Sequence, residues 1–274
     1  MESTDVLYSA EGPIAVVTMN RPQYRNAQSY GLLQALDEAF DRAMADPAIK
    51  VVVLRGSGGH FSSGHDLGTP EGLLEREQRT YEPNTLEDYN AFRHYNLDVS
   101  LKWRNLPKPT IAMVEGYCIF AGWMLAASMD LVFAAENALF LVGLVEYSTV
   151  AWDIGVRRAK EICFESNFLT AAAAKEAGFV SRVFPVEELE RETIAFASRV
   201  AENGAMTLRM AKASIHHAAD IQGFSVAAQT AFSDFIVQSR YAGMPPAEGV
   251  AKRLGPVDLA VRGLRGQRPG QTPV

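Results

Sequence analysis

Cysteine is scarce in this chain. Cys118 and Cys163 are the only two among 274 residues, and both sit in apolar contexts. Two such residues build neither a disulfide framework nor a metal cluster. They read as free, buried, reduced thiols of a cytoplasmic protein. Runs of Lys and Arg are also missing, so the sequence carries no nucleic-acid footprint. No apolar stretch approaches the ~20 residues of a membrane span. The opening MESTDVLYSAEG lacks the basic and apolar regions of a secretory signal. Low-complexity tracts are absent too.

What is present suits a globular chain. It is 48% hydrophobic with a net charge of −6, enough for one large domain or a domain plus a helical appendage. A mildly acidic protein can still hold an anionic group in a local basic pocket. Ile14–Met19 is a β-branched run that reads as a strand, closed by Asn20-Arg21-Pro22. Ser29 is placed to cap a helix reaching about Ala45, and Asp46-Pro47 stops it. Lys50–Arg55, Thr110–Val114 and Leu131–Ala135 read as buried strands, and Val180–Phe184 as a last short one. A helix is expected from about Glu87 to Asn105, and helical patterns return near Asp153–Phe164 and Thr170–Ala177. Residues 68–86 are polar with Pro and Gly, and read as a mobile loop, a candidate lid. Beyond Val186 the pattern is almost wholly helical to about Tyr241, and a frayed tail is expected from Gly263.

Two segments stand out, Ile49–Leu67 and Pro109–Asp130. Each is an apolar run that breaks into a tight turn of small residues before a helical pattern. Two such turns can aim two backbone N–H donors at one oxygen, which is what an oxyanion hole requires.

These segments resemble the crotonase (enoyl-CoA hydratase/isomerase) superfamily. Asn20-Arg21-Pro22 with Arg25-Asn26-Ala27 is similar to the family's NRP…RNA element. VVVLRGSGGHFSSGHDL is similar to its strand and G-x-FxxGxDL loop. KPTIAMVEGYCIFAGWMLAASMDLVFA is similar to its P-x-IAxVxGxxxGGGxxLAxxCD element, and Leu169–Pro185 to its AGLV…VxP segment. The resemblance implies an α/β fold, the family's ββα spiral over residues 1–185. Residues 186–274 would be a helical C-terminal region for trimerisation. It also implies an acyl-CoA thioester as substrate, with coenzyme A part of that substrate and no permanently bound cofactor or metal. The partner would be a second and third copy of the chain, as a homotrimer or a dimer of trimers.

By the same resemblance, the N–H groups of His65 and Ala121 are the two oxyanion donors. Arg25, Ala27, Ser63, His65, Asp66 and Leu67 fall where the family meets CoA. Taken as residues alone, His65 is a loop histidine, Arg25 a solvated arginine, and Asp66 a loop tether. The family's two hydration glutamates are missing. Met124 stands at the first position, and the segment after Phe140 that carries the second is shortened. The nearby acids are Glu146 and Asp153, either of which is a candidate for proton transfer, although Asp153 also reads as a helix cap. Three functions are compatible with these residues: a thioester enolate enzyme with displaced acid–base groups, a non-catalytic acyl-CoA binder, and a CoA-independent diketone hydrolase.

Overall fold

The computed structural model describes residues 4–78, 81–242 and 254–266. Its centre is built from the β-branched runs. Strands β1 (Val6–Glu11), β2 (Ile14–Met19), β3 (Val51–Gly56), β4 (Thr110–Val114), β6 (Leu131–Ala135) and β9 (Arg182–Phe184) form one sheet, in the order β1-β2-β3-β4-β6-β9. Only the β1–β2 pair is antiparallel; the others are parallel. A parallel sheet must be covered on both faces, so its strands are continuously apolar. Strand β1 escaped the sequence reading because its pattern is mostly exposed. Gly12, at φ +55°, turns it into β2.

Each strand sends alternate residues into two cores. Val17, Val52, Leu54, Ala112 and Ala134 face α1 (Tyr30–Ala45) and the helices packed beside it. Ile14, Val51, Val53, Ile111 and Phe133 face α9 (Leu189–Ala201), through Leu189, Ala197 and Ala201. The helical C-terminal region therefore begins as the second cover of the sheet. Helices α10 (Ala205–Ile221), α11 (Phe224–Ala242) and α12 (Pro256–Gly266) complete it. Of the expected frayed tail, Gly263–Gly266 close α12, and the rest lies outside the described residues.

A second sheet is made of three very short strands, β5 (Tyr117–Ile119), β7 (Leu139–Leu141) and β8 (Leu169–Thr170). Short pieces of this kind give no periodicity to read.

The expectation of a loop over 68–86 is corrected at Pro70–Glu77, and residues 79–80 lie outside the described residues. Residues Pro70–Glu77 form helix α2, with Pro at its first turn and Thr69 capping Gly72 N–H. Long-range bonds hold it down. The Glu75 carboxylate accepts from Ser29 Oγ and Gly31 N–H, and Arg76 donates to the Asp66 carbonyl. A polar composition marked a solvent-facing helix here.

The helix expected over Glu87–Asn105 is present from Leu86 to Arg104 as α3 (Leu86–Arg93), one π turn (His94–Asp98) and α4 (Val99–Arg104). The helical patterns near Asp153–Phe164 and Thr170–Ala177 are present as α7 (Val156–Glu165) and α8 (Ala171–Glu176). Cys118 is buried and Cys163 half-buried, and both are free thiols. Among the described residues, no helix is long and apolar enough to cross a membrane.

Candidate active site

The loop after β3 is held by a buried ion pair. Arg21, 1% exposed, donates to Asp66 at 2.9 Å and also to the Ala27 carbonyl. Asp66 accepts in addition from Gly68 N–H, Thr69 N–H and the Thr69 hydroxyl. Burial alone would raise the Asp66 carboxyl. The Thr69 hydroxyl and N–H, the Arg21 guanidinium and Gly68 N–H outweigh it, holding the group below the usual carboxylate range. Asp66 is thus a tether. Removing it as Asp66→Ala leaves a buried guanidinium short of its main partner, and the expected loss of stability is about 3 kcal/mol or more. The midpoint of urea unfolding reads this directly.

Gln28 stitches the same loop to the second turn. Its N–H donates to the Gly64 carbonyl, and its own carbonyl accepts from Asp66 N–H. Its side-chain amide donates to Ser62 Oγ and to the Ala121 carbonyl. Gly64 sits at φ +91°, where a Cβ would meet the Ile119 carbonyl oxygen at 2.8 Å and the Ala121 nitrogen at 3.4 Å. The two turns are therefore in contact through glycine backbone.

The second turn leads from β5 into α5 (Ala121–Ala127). Phe120, at φ 47° and ψ −103°, carries the reversal. Such a backbone state is costly for a side-chain-bearing residue and gathers at functional sites. It is fixed by Phe120 N–H donating to the Leu141 carbonyl at 2.7 Å. Among the described residues, the N–H groups of His65 and Ala121 donate to no carbonyl or side chain. Ala121 opens its helix, where N–H groups are free by geometry and the helix dipole favours negative charge.

A cavity of about 170 Å³ lies beside these turns. Its polar lining includes Gln28, Tyr30, His65, Arg76, Asn96 and Glu146; Leu33, Leu67 and Phe92 supply apolar wall. Glu146 is buried, and its carboxylate lies 3.4 Å from His65 Nε2. Burial pushes this carboxyl up. The His65 charge and hydrogen bond, with the Glu146 backbone N–H, pull it down further, so it stays below its usual value and is ionised. A carboxylate held ionised beside an imidazole is a competent proton acceptor.

The segment after Phe140 positions this carboxylate. After β7 the chain runs through Val142–Val145 straight to Glu146, which reaches the His65 side of the cavity. Met124 is 4% exposed and packs with Ala121, Val145 and Tyr147. It fills with apolar bulk the position that the family resemblance gives to a glutamate.

Asp153 is not brought to the cavity. It lies inside the short helix α6 (Val150–Ile154), whose N-cap is Thr149, so the expectation that Asp153 caps this helix is corrected. Its carboxylate accepts from the Thr149 hydroxyl at 2.7 Å and from Trp123 Nε1 at 3.4 Å. Burial dominates there and pushes the carboxyl up to about 7, against those two donors. The folded state therefore favours neutral Asp153, and stability falls as pH rises from about 4 through 7. Asp153→Asn is expected to gain thermal stability over the parent at pH 8 and much less at pH 4. At this chain length each 1 kcal/mol moves the midpoint by about 2–4 °C, which melting curves across that range resolve.

The remaining expected contacts differ in exposure. Arg25 is exposed, with its guanidinium 5.9 Å from the Tyr117 ring centre. Ser63 donates from its hydroxyl to the Tyr24 carbonyl, Ala27 is buried beneath Arg21, and Leu67 is exposed. Gln28, Tyr30, Phe92 and Asn96 escaped the sequence reading. Asn96 had one legible sign, a polar residue four positions after Phe92. Among the described residues, no group of three or more His, Cys, Asp or Glu is arranged to hold a metal.

Comparison with known proteins identifies the family and the fold. The profile of the family described as enoyl-CoA hydratase/isomerase matches residues 9–244. EchA13 of Mycobacterium tuberculosis, provisionally named an enoyl-CoA hydratase, is 36% identical, over 93% of this chain and 86% of its own length. A crystal structure from Mycobacterium thermoresistibile, with the same provisional name, superposes with a TM-score of 0.76 at 38% identity, covering 84% of this chain and 94% of that one. An enoyl-CoA hydratase/isomerase from Xanthobacter autotrophicus Py2 superposes at 0.75 with 26% identity, covering 95% and 88%. The fold is that of the crotonase superfamily, and the chain belongs to the enoyl-CoA hydratase/isomerase family of enzymes.

Proposed function

We propose that this protein binds an acyl-CoA thioester with its acyl group in the cavity and carries out proton transfer through a thioester enolate. The N–H groups of His65 and Ala121 receive the carbonyl oxygen. As a proton leaves the carbon next to the thioester carbonyl, the electron pair moves onto that oxygen, and preorganised donors stabilise the charge. Glu146 takes the proton, with His65 orienting its carboxylate and sharing the charge. The same pair returns the proton to the chain or activates a water. What carries this reading is the contact of Glu146 with His65 at the cavity, with the unbonded N–H groups of His65 and Ala121 on the two touching turns beside it.

CoA lies along the loop after β3. Arg25 offers a fork for phosphate, with Ala27, Ser63, Asp66 and Leu67 supplying loop backbone. Neither a non-catalytic binder nor a CoA-independent hydrolase gains a specific observation. Calorimetry with CoA, acetyl-CoA and crotonyl-CoA, followed by product assay, tests the reading. Binding with turnover supports it, binding without turnover of any thioester favours the binder, and no binding removes CoA.

Self-association as a trimer or dimer of trimers fits the exposed apolar residues on α10 and α11. Met206, Ile215, Ile221 and Val226 are each at least 68% exposed. Sedimentation at several concentrations tests this. The two free thiols fit a reducing, cytoplasmic compartment.

A further inference from the structure

The helix from Leu86 to Arg104 contains one π turn, in which Val99 N–H reaches the His94 carbonyl. A π turn adds a residue to the helix and rotates the succeeding turns by about 100°. Such turns are rare and concentrate at functional sites. The side chain it presents to the cavity is Asn96, which is 4% exposed.

The Asn96 carboxamide has one orientation that satisfies its surroundings. Its Nδ2 donates to the Phe92 carbonyl at 2.7 Å; the flipped amide would set two oxygens against each other. Its Oδ1 accepts from no described residue. The cavity lining therefore presents an acceptor that is open to solvent and has no partner among the described residues, and Glu146, itself an acceptor, shares that lining. A plain alkyl chain leaves the Asn96 oxygen desolvated and unpaired, and a carboxylate is repelled by Glu146. A hydroxyl supplies the missing proton. At about 170 Å³ the cavity is smaller than the ~300–1,000 Å³ usual for drug-sized ligands.

We propose that Asn96 is a specificity-determining residue, selecting a short acyl group that carries a hydroxyl beyond the reacting carbons. The assignment rests on the cavity being the acyl site of a CoA thioester. A site built to accept from a substrate hydroxyl rejects the analogue that lacks it.

Butyryl-CoA and 4-hydroxybutyryl-CoA differ by one hydroxyl. Their affinities are compared by calorimetry for the parent protein, Asn96→Leu and Asn96→Asp. The parent is expected to bind the hydroxylated thioester about tenfold more tightly or better. Asn96→Leu loses that ratio, and Asn96→Asp, which keeps an acceptor, retains a preference. Equal affinities in the parent, or an undiminished ratio in Asn96→Leu, overturn the Asn96 assignment and leave the thioester reading standing. Absence of binding by either thioester, and by CoA, overturns both. Should Asn96→Leu fail to fold, the parent ratio and Asn96→Asp decide.

Discussion

Glu146→Gln lowers kcat/KM for an active thioester by about 10²–10⁴-fold, the range expected when a positioned acid–base group is removed. The substitution keeps shape and hydrogen-bonding reach while abolishing proton acceptance. Thioester affinity therefore changes far less than turnover, and steady-state kinetics beside calorimetry separates the two. Asp153→Asn is the matching control, because Asp153 is engaged by Thr149 and Trp123 and does not line the cavity. A turnover loss in Asp153→Asn as deep as in Glu146→Gln would move the proton-transfer role away from Glu146. His65→Gln gives a finer readout. The His65 charge and hydrogen bond help hold Glu146 below its usual carboxylate value, and burial pushes the other way. Without the imidazole, burial prevails and the Glu146 pKa rises. The acidic limb of the pH–rate profile then moves to higher pH, with more turnover lost at pH 5 than at pH 8.

Gly64→Ala is expected to cost turnover by about 10²–10³-fold, the loss seen when an oxyanion donor is displaced. At φ +91° the backbone strains any side chain, and the added Cβ would sit 2.8 Å from the Ile119 carbonyl oxygen. That oxygen belongs to the strand leading into Ala121, so relief of the clash parts the two turns that carry the free N–H groups. The protein should remain folded, since the strain is about 1–3 kcal/mol and Asp66 still anchors the loop. Gly68→Ala, a few residues along, meets nothing within 4 Å and lies outside the positive-φ region. Its stability should stay within about 0.5 kcal/mol of the parent. Equal kinetics for both alanine variants would exclude an oxyanion role for this pair of turns.

The sequence by itself determined the architecture and the loops that matter. The runs at Ile14–Met19, Val51–Gly56, Thr110–Val114 and Leu131–Ala135 are apolar on both faces because a parallel sheet is covered on both faces, and this is readable without a structure. Ser29 as a helix cap and Asp66 as a tether were equally local, each a short polar side chain next to N–H groups it can reach. The family was legible for the same reason, since its motifs are turns whose small residues are fixed by close backbone approach.

Only the tertiary structure decided which acid faces the cavity. Glu146 and Asp153 are seven residues apart in apolar surroundings. The turn after β7 swings one toward His65, 81 residues upstream, and the other toward Trp123. Asn96 was hidden because nothing local says that its side of the helix lines a cavity with Gln28, His65 and Glu146. Helix α2 looked like loose loop because its anchors, Ser29 and Gly31, lie more than forty residues away in sequence. Local pattern reports which residues are buried and which turns are tight. Which side chains meet across those turns depends on contacts between distant segments, and these arise only when the chain is folded.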